Sequence, residues 1–122
     1  MAIMALVTGK ISKFQYESLR NEVKWEKDAP DGLVIHAASF DAGDRIHVAD
    51  VWETMEEMAA FVEKRLGPAM KKLGIPPLES VVYPIHNVDA YEAIEKHRIG
   101  ATAGSRTGPG AVVRSERAGR SS

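Results

Sequence analysis

Apolar residues along this chain fall into two rhythms. Short runs with turn signals at their ends alternate with stretches of helical period. "AIMALVTG" (Ala2–Gly9) is almost wholly apolar and ends in Gly, as a strand buried on both faces would. "ISKFQYESLRNEVKW" follows, with Ser12 and Gln15 spaced as a capping box and Ile11 and Tyr16 as its hydrophobic staple. Phe14, Leu19 and Val23 recur near helical spacing, which predicts an amphipathic helix over about residues 13–25. "GLVIHAASF" and "RIHVADVW" predict strands at Leu33–Phe40 and Arg45–Trp52, joined through "DAGD" in a hairpin. Thr54 and Glu57 form a second capping box, and Met55, Met58, Phe61, Val62 and Leu66 make one helical stripe. Gly67-Pro68 is read as the stop of that helix, with a further helical turn in "AMKKLG". "SVVYPIHNV" (Ser80–Val88) predicts a fourth strand, and Asp89 with Glu92 a capped short helix to about His97.

The order β-α-β-β-α-β is a split βαβ unit written twice. It predicts an α+β fold, the ferredoxin-like sandwich, with a four-stranded antiparallel sheet in strand order 4-1-3-2 and both helices on one face. The first strand has scarcely a polar residue before Thr8, and the second has few. Such strands expect cover on both sides, and a second sheet packed face to face would supply it. The chain is therefore expected to be a homodimer. Domain organisation is expected to be one domain over 1–98 and a flexible Gly/Ser/Arg tail over 99–122.

Charge narrows the function. The net charge is −1, but residues 1–98 hold 12 Lys and Arg against 16 Asp and Glu, a balance of −4. Such a domain carries no electrostatic footprint for nucleic acid, and no nucleic-acid partner is expected. There is no cysteine, so disulfides, thiolate catalysis and cysteine zinc sites are excluded. This agrees with a reducing cytoplasm, the expected location. No apolar run approaches the roughly 20 residues of a membrane span. The N-terminal segment reads as a strand rather than a leader. No H-x-H or H-x-x-x-H spacing occurs, so no metal centre is expected.

His36 lies inside an apolar strand. Its neighbour depends on how the hairpin closes: with an even register sum it lies opposite Val48, on the face of Asp50 and Trp52; one residue of slip puts it opposite His47. A His beside an Asp and an indole is a usable acid/base pair. The same pair also serves as a core histidine whose polar atoms are satisfied. Asp50 needs a partner in either case, because an unpaired carboxylate is costly to bury.

These residues resemble a known family. "GLVIHAASFDAGDRIHVADVWETMEEMAAFVEKRLGPAM" together with "YPIHNV" is similar to the dimeric α/β-barrel superfamily, and within it to small actinobacterial-type proteins related to antibiotic biosynthesis monooxygenases. The similarity covers about residues 2–89. It favours the register that places His36 with Asp50 and Trp52. The superfamily's members differ in activity: cofactor-free monooxygenases of polycyclic phenols, haem-degrading oxygenases, isomerases, polyketide cyclases and ligand-sensing domains. Fold alone does not choose among them.

The resemblance implies a cofactor-independent monooxygenase, cyclase or isomerase acting on an aromatic or polyketide-like molecule, with no cofactor. His36 would be the base and Asp50 its orienter. Phe14, Trp52, Met58, Phe61 and Tyr83 are the expected pocket walls for a small apolar or aromatic ligand. His86 and Asn87 are further candidates, with His86 reaching a partner's site across the dimer. Two alternatives stay open: a non-catalytic small-molecule binder with the same pocket, and a dimeric interaction module.

Overall fold

The structure, a computed structural model, describes residues 1–98. The expected tail, 99–122, lies outside the described residues. The described residues divide into two units, Met1–His86 and, from Asn87 to Arg98, the described part of a second.

In the first unit, strands β1 (Ile3–Lys10), β2 (Leu33–Phe40), β3 (Arg45–Trp52) and β4 (Glu79–Pro84) form one antiparallel sheet. Their order is β2-β3-β1-β4, the ferredoxin-like order read from the sequence. β4 is shorter than expected and ends at Pro84. Helix α1 (Lys13–Val23) starts at a complete capping box. The Ser12 hydroxyl accepts from Gln15 N–H, and the Gln15 side chain accepts from Ser12 N–H. It ends at Lys24, whose φ of 60° breaks the helix. The cap at Thr54 is half a box: its hydroxyl accepts from Glu57 N–H but then donates to the Glu57 carboxylate.

The second helical segment runs on through Gly67-Pro68 instead of stopping there. Helix α2 (Met55–Phe61) passes through a π turn (Val62–Leu66) into α3 (Gly67–Leu73). Two local facts explain the continuation. Proline has no N–H and its ring collides with the carbonyl four residues back in a regular helix. A widened turn just upstream relieves that collision, and Gly67 N–H closes it on the Val62 carbonyl. The same oxygen would lie 2.8 Å from a Cβ at position 67, so glycine is required there.

Pairing divides the sheet into two faces. Inner rows run Leu33–Trp52–Ile3–Pro84, His36–Asp50–Ala5–Val82 and Ala38–Val48–Val7–Ser80. Tyr16, Leu19 and Val23 of α1 and Ala69 of α3 pack with Ile46 and Val48 on this side. Trp52, Ile3 and Ala5 form a second cluster with Met58 and Phe61. Outer rows run Ile35–Val51–Met4–Tyr83 and Ala37–Ala49–Leu6–Val81. Leu6, Val81 and Tyr83 there are 41%, 50% and 49% exposed. The pairing of β2 with β3 shifts between Leu33 and Ile35, leaving Val34 as a bulge.

The hairpin closes differently from expectation. Asp41 N–H donates to the Arg45 carbonyl, and the Asp41 carboxylate accepts from Gly43 and Arg45 N–H. The first pair above this turn is Phe40–Ile46, so His36 lies opposite Asp50 rather than Val48. The parity of the faces is as expected; the partner is two residues further along.

In the second unit, Glu92–His97 is a 3₁₀ helix that begins at Tyr91 without a side-chain cap. Asp89 does not cap it; its carboxylate accepts from the Asn87 side-chain amide instead.

Candidate functional site

A cavity of about 490 Å³ opens between the inner sheet face and the α2–α3 segment. That is within the size range of small-molecule sites. Ala5, Val7 and Trp52 form its floor, with Met58, Phe61 and Met70 above. The π turn contributes Val62 and Leu66, and widened turns of this kind recur at functional sites. The polar side chains at its border are Asp50, Lys71 and Ser80.

Asp50 is the inner polar group of this cavity, at 15% side-chain exposure. Its Oδ1 accepts from His36 Nδ1 at 2.6 Å. His36 Nε2 meets the Tyr16 hydroxyl at 2.8 Å. A carboxylate can only accept, so Nδ1 carries the proton; Nε2 of the neutral ring then accepts from Tyr16. Burial, first of all, pushes the Tyr16 hydroxyl up to about 12, with Arg20 opposing and Glu17 and Asp50 adding to the rise. Tyr16 therefore stays protonated and remains the donor. Trp25 closes the group edge-on to the imidazole, 5.2 Å between ring centres. A smaller cavity of about 80 Å³ touches Tyr16, Trp25, His36 and Asp50.

The strand register brings Asp50, Trp52 and His36 together but divides their positions. Asp50 and Trp52 border the larger cavity; His36 stands behind Asp50, between it and Tyr16. Asp50 Oδ2 makes no hydrogen bond among the described residues. The Trp52 indole N–H is buried and has no partner among them either. Asp50 thus keeps a free acceptor at the cavity border, while the unpaired Trp52 donor, two residues on in β3, is itself buried.

Met58 and Phe61 line the cavity as expected. Phe14 and Tyr83 do not. Phe14 is 80% exposed, because α1 turns Tyr16, Leu19 and Val23 inward. Positions 14 and 19 are about 140° out of phase on a helix, whereas 16, 19 and 23 share one face. Tyr83 points to the outer sheet face, paired beside Met4. His86 is exposed, and Asn87 is bonded to Asp89. His36 lies within β2 and His86 follows β4, at opposite edges of the sheet. His47 is a hairpin residue that meets Asp41 at 2.9 Å. That bond, with the Arg45 and Gly43 N–H groups, holds the Asp41 carboxyl down at about 2. Among the described residues, no group of three or more His, Asp or Glu side chains is placed to hold a metal ion.

Sequence reasoning missed Tyr16, Trp25, Lys71 and Ser80. Tyr16 carried a usable signal, its spacing from Leu19 and Val23. The other three depend on how the helices cross the sheet, which no local pattern encodes.

No family model and no curated protein matches the chain. Solved structures do. An antibiotic biosynthesis monooxygenase so described from Chloroflexus aurantiacus aligns at TM-score 0.56 and 14% identity, over 74% of this chain and 98% of that one. A Mycobacterium tuberculosis protein aligns at 0.57 and 9%, over 74% and 100%. SnoaB, a cofactor-independent oxygenase from Streptomyces nogalater, aligns at 0.52 and 12%, over 74% and 96%. The chain has the fold of the antibiotic biosynthesis monooxygenase-like proteins. At these identities, what is shared is the ferredoxin-like architecture of the first unit. The Tyr16–His36–Asp50 chain and the cavity polar groups are described from this protein's own residues.

Proposed function

We propose that the first unit binds an aromatic or polyketide-like small molecule in the large cavity and acts on it as a cofactor-independent monooxygenase, cyclase or isomerase. The observation that carries this reading is the single carboxylate, Asp50, set into an otherwise apolar wall and backed by His36 and Tyr16. A planar ligand fits between Trp52 and the methionine-bearing helix face. Its hydroxyl or acidic enol donates to Asp50 Oδ2, and its ring lies against the Trp52 side chain. In this arrangement Asp50 is the group that meets the substrate, and His36 positions it. As the substrate proton moves to Asp50, the water-poor surroundings favour charge spread over a conjugated ring system. The neighbour described as a cofactor-independent oxygenase supports oxygenation as the class to test first.

One observation favours a second reading, a binder without chemistry. Tyr16, His36 and Asp50 Oδ1 satisfy one another, as a structural polar cluster does.

A panel of polycyclic phenols and naphthols, read by quenching of tryptophan fluorescence and by oxygen uptake, separates these. Binding with turnover that Asp50→Asn abolishes supports the enzyme. Binding without oxygen uptake or isomerised product supports the binder. If no panel member perturbs the fluorescence, the cavity is not the ligand site.

We also propose that a second copy covers the outer face. Leu6, Val81 and Tyr83 form an apolar patch on a sheet whose helices all pack on the other side. Among the described residues, no helix is long and apolar enough to cross a membrane.

A further inference from the structure

The polar side chains that border the cavity differ in sign and in exposure. Asp50 is largely buried, while Lys71 and Ser80 are exposed, Ser80 on the edge strand β4. Lys71 follows Met70 in the last turn of α3, where a cation is favoured by the helix dipole. The dipole does not decide where the side chain goes, and the neighbouring lysine shows the contrast. Lys72 turns away and pairs with Glu22 at 3.0 Å. Lys71 borders the cavity and has no ion pair or hydrogen bond among the described residues. The positions three and four before it on its helix are Pro68 and Gly67, and those three and four after it, past the helix end, are Gly74 and Ile75; none is acidic. Ser80 points to the inner face opposite Val7, and its hydroxyl likewise has no partner among the described residues.

We propose that Lys71, with Ser80, is an anion subsite that selects ligands bearing a carboxylate at the end remote from the hydroxyl or enol. This rests on the reading of the cavity as a ligand site and specifies which molecules enter it and which way round. Asp50 repels a carboxylate and attracts a donor; Lys71 does the reverse. The two together admit one orientation. β3 and β4 are separated by one intervening strand, and Asp50 and Ser80 by two residues along it, from Ala5 to Val7, which puts their Cα atoms about 12 Å apart. A flat fused-ring acid spans the gap once the side chains reach in from each end. The lysine is solvated, so its contribution falls with added salt.

The probes are a hydroxynaphthoic acid with hydroxyl and carboxylate at opposite ends of the rings, and the matching naphthol without the carboxylate. Affinities are measured by fluorescence titration on the full chain at neutral pH. The acid is expected to bind about tenfold more tightly than the naphthol, a preference that Lys71→Gln removes while naphthol affinity is unchanged. Ser80→Ala is expected to reduce the preference by a smaller factor. Raising salt lowers acid affinity in the native protein and not in Lys71→Gln. Equal binding of both probes, or a preference that survives Lys71→Gln, overturns the subsite and leaves the cavity reading intact. Failure of both probes to bind overturns the two together. Far-ultraviolet circular dichroism and the retained naphthol affinity show that the variant is folded.

Discussion

His36 and Asp50 occupy directly opposed positions on neighbouring strands, and their side chains meet at 2.6 Å on the helix-covered face of the sheet. Cross-strand neighbours interact most strongly when they share a face in this way. The pair is extended by Tyr16 from α1, so the first helix is tied to the β2–β3 hairpin through one imidazole.

Removing the imidazole leaves an acceptor on Asp50 and a donor on Tyr16 without partners. His36→Ala should destabilise the protein by about 1–3 kcal/mol. The double variant His36→Ala with Asp50→Ala should lose less than the sum of the single changes. Urea denaturation of the four proteins gives the coupling directly. Strict additivity would mean that the bond at 2.6 Å contributes nothing to folding.

Tyr16 makes stability fall at high pH. Its hydroxyl is held at about 12 in the folded chain against 10.0 for a free tyrosine, so the folded state prefers the neutral form. That contribution is complete below pH 10 and is lost as the pH rises through about 12. Tyr16→Phe lacks it. The stability of the native protein should therefore fall more steeply than that of Tyr16→Phe across this window. Denaturation midpoints at matched pH values test the difference, and parallel curves would exclude a raised Tyr16.

Gly67 is fixed by the Val62 carbonyl. A methyl group at position 67 would sit 2.8 Å from that oxygen, which belongs to the backbone and cannot swing aside. Gly67→Ala is expected to cost about 1–3 kcal/mol, as overpacking does. It should also weaken ligand binding, since the π turn lines the cavity. Thermal unfolding together with naphthol titration reads both effects. An unchanged melting temperature would show that the turn tolerates rearrangement.

The outer sheet face predicts an oligomeric response. Leu6 is central in that face, paired with Ala49 on one side and Val81 on the other. Leu6→Lys places a charge where a second sheet is proposed to pack, and should convert a dimer to a monomer by sedimentation analysis. A native protein that is monomeric at all concentrations would remove the dimer proposal before the variant is made.

The strands were legible because each is an apolar run bounded by turn residues. Leu33–Phe40 and Arg45–Trp52 have the bounds the sequence suggested. The partner of His36 was less so. Face parity follows from alternation, but the exact pairing depends on how Asp41 closes the turn with its own side chain. Helix faces were harder still. Two aromatic residues, Phe14 and Tyr16, lie two apart near the start of α1, and only the phase relative to Leu19 and Val23 tells which one turns inward. Continuation past Pro68 had no sequence signature beyond the Gly before it, since a π turn is a backbone solution found only when the helix must go on. Lys71 was invisible as a site residue because its meaning comes from the cavity that it borders.

The Val34 bulge has a genetic consequence. Leu33 and His36 both face inward although three positions separate them, a spacing that a regular strand forbids. With Val34 taken into a regular ladder, alternation from Leu33 would carry Ile35 and Ala37 to the helix side and turn the imidazole outward. Loss of the Val34 codon would instead straighten the strand and keep Leu33 opposite Trp52 and His36 opposite Asp50, so a one-codon deletion at this point is a milder change to the site than its place beside His36 suggests.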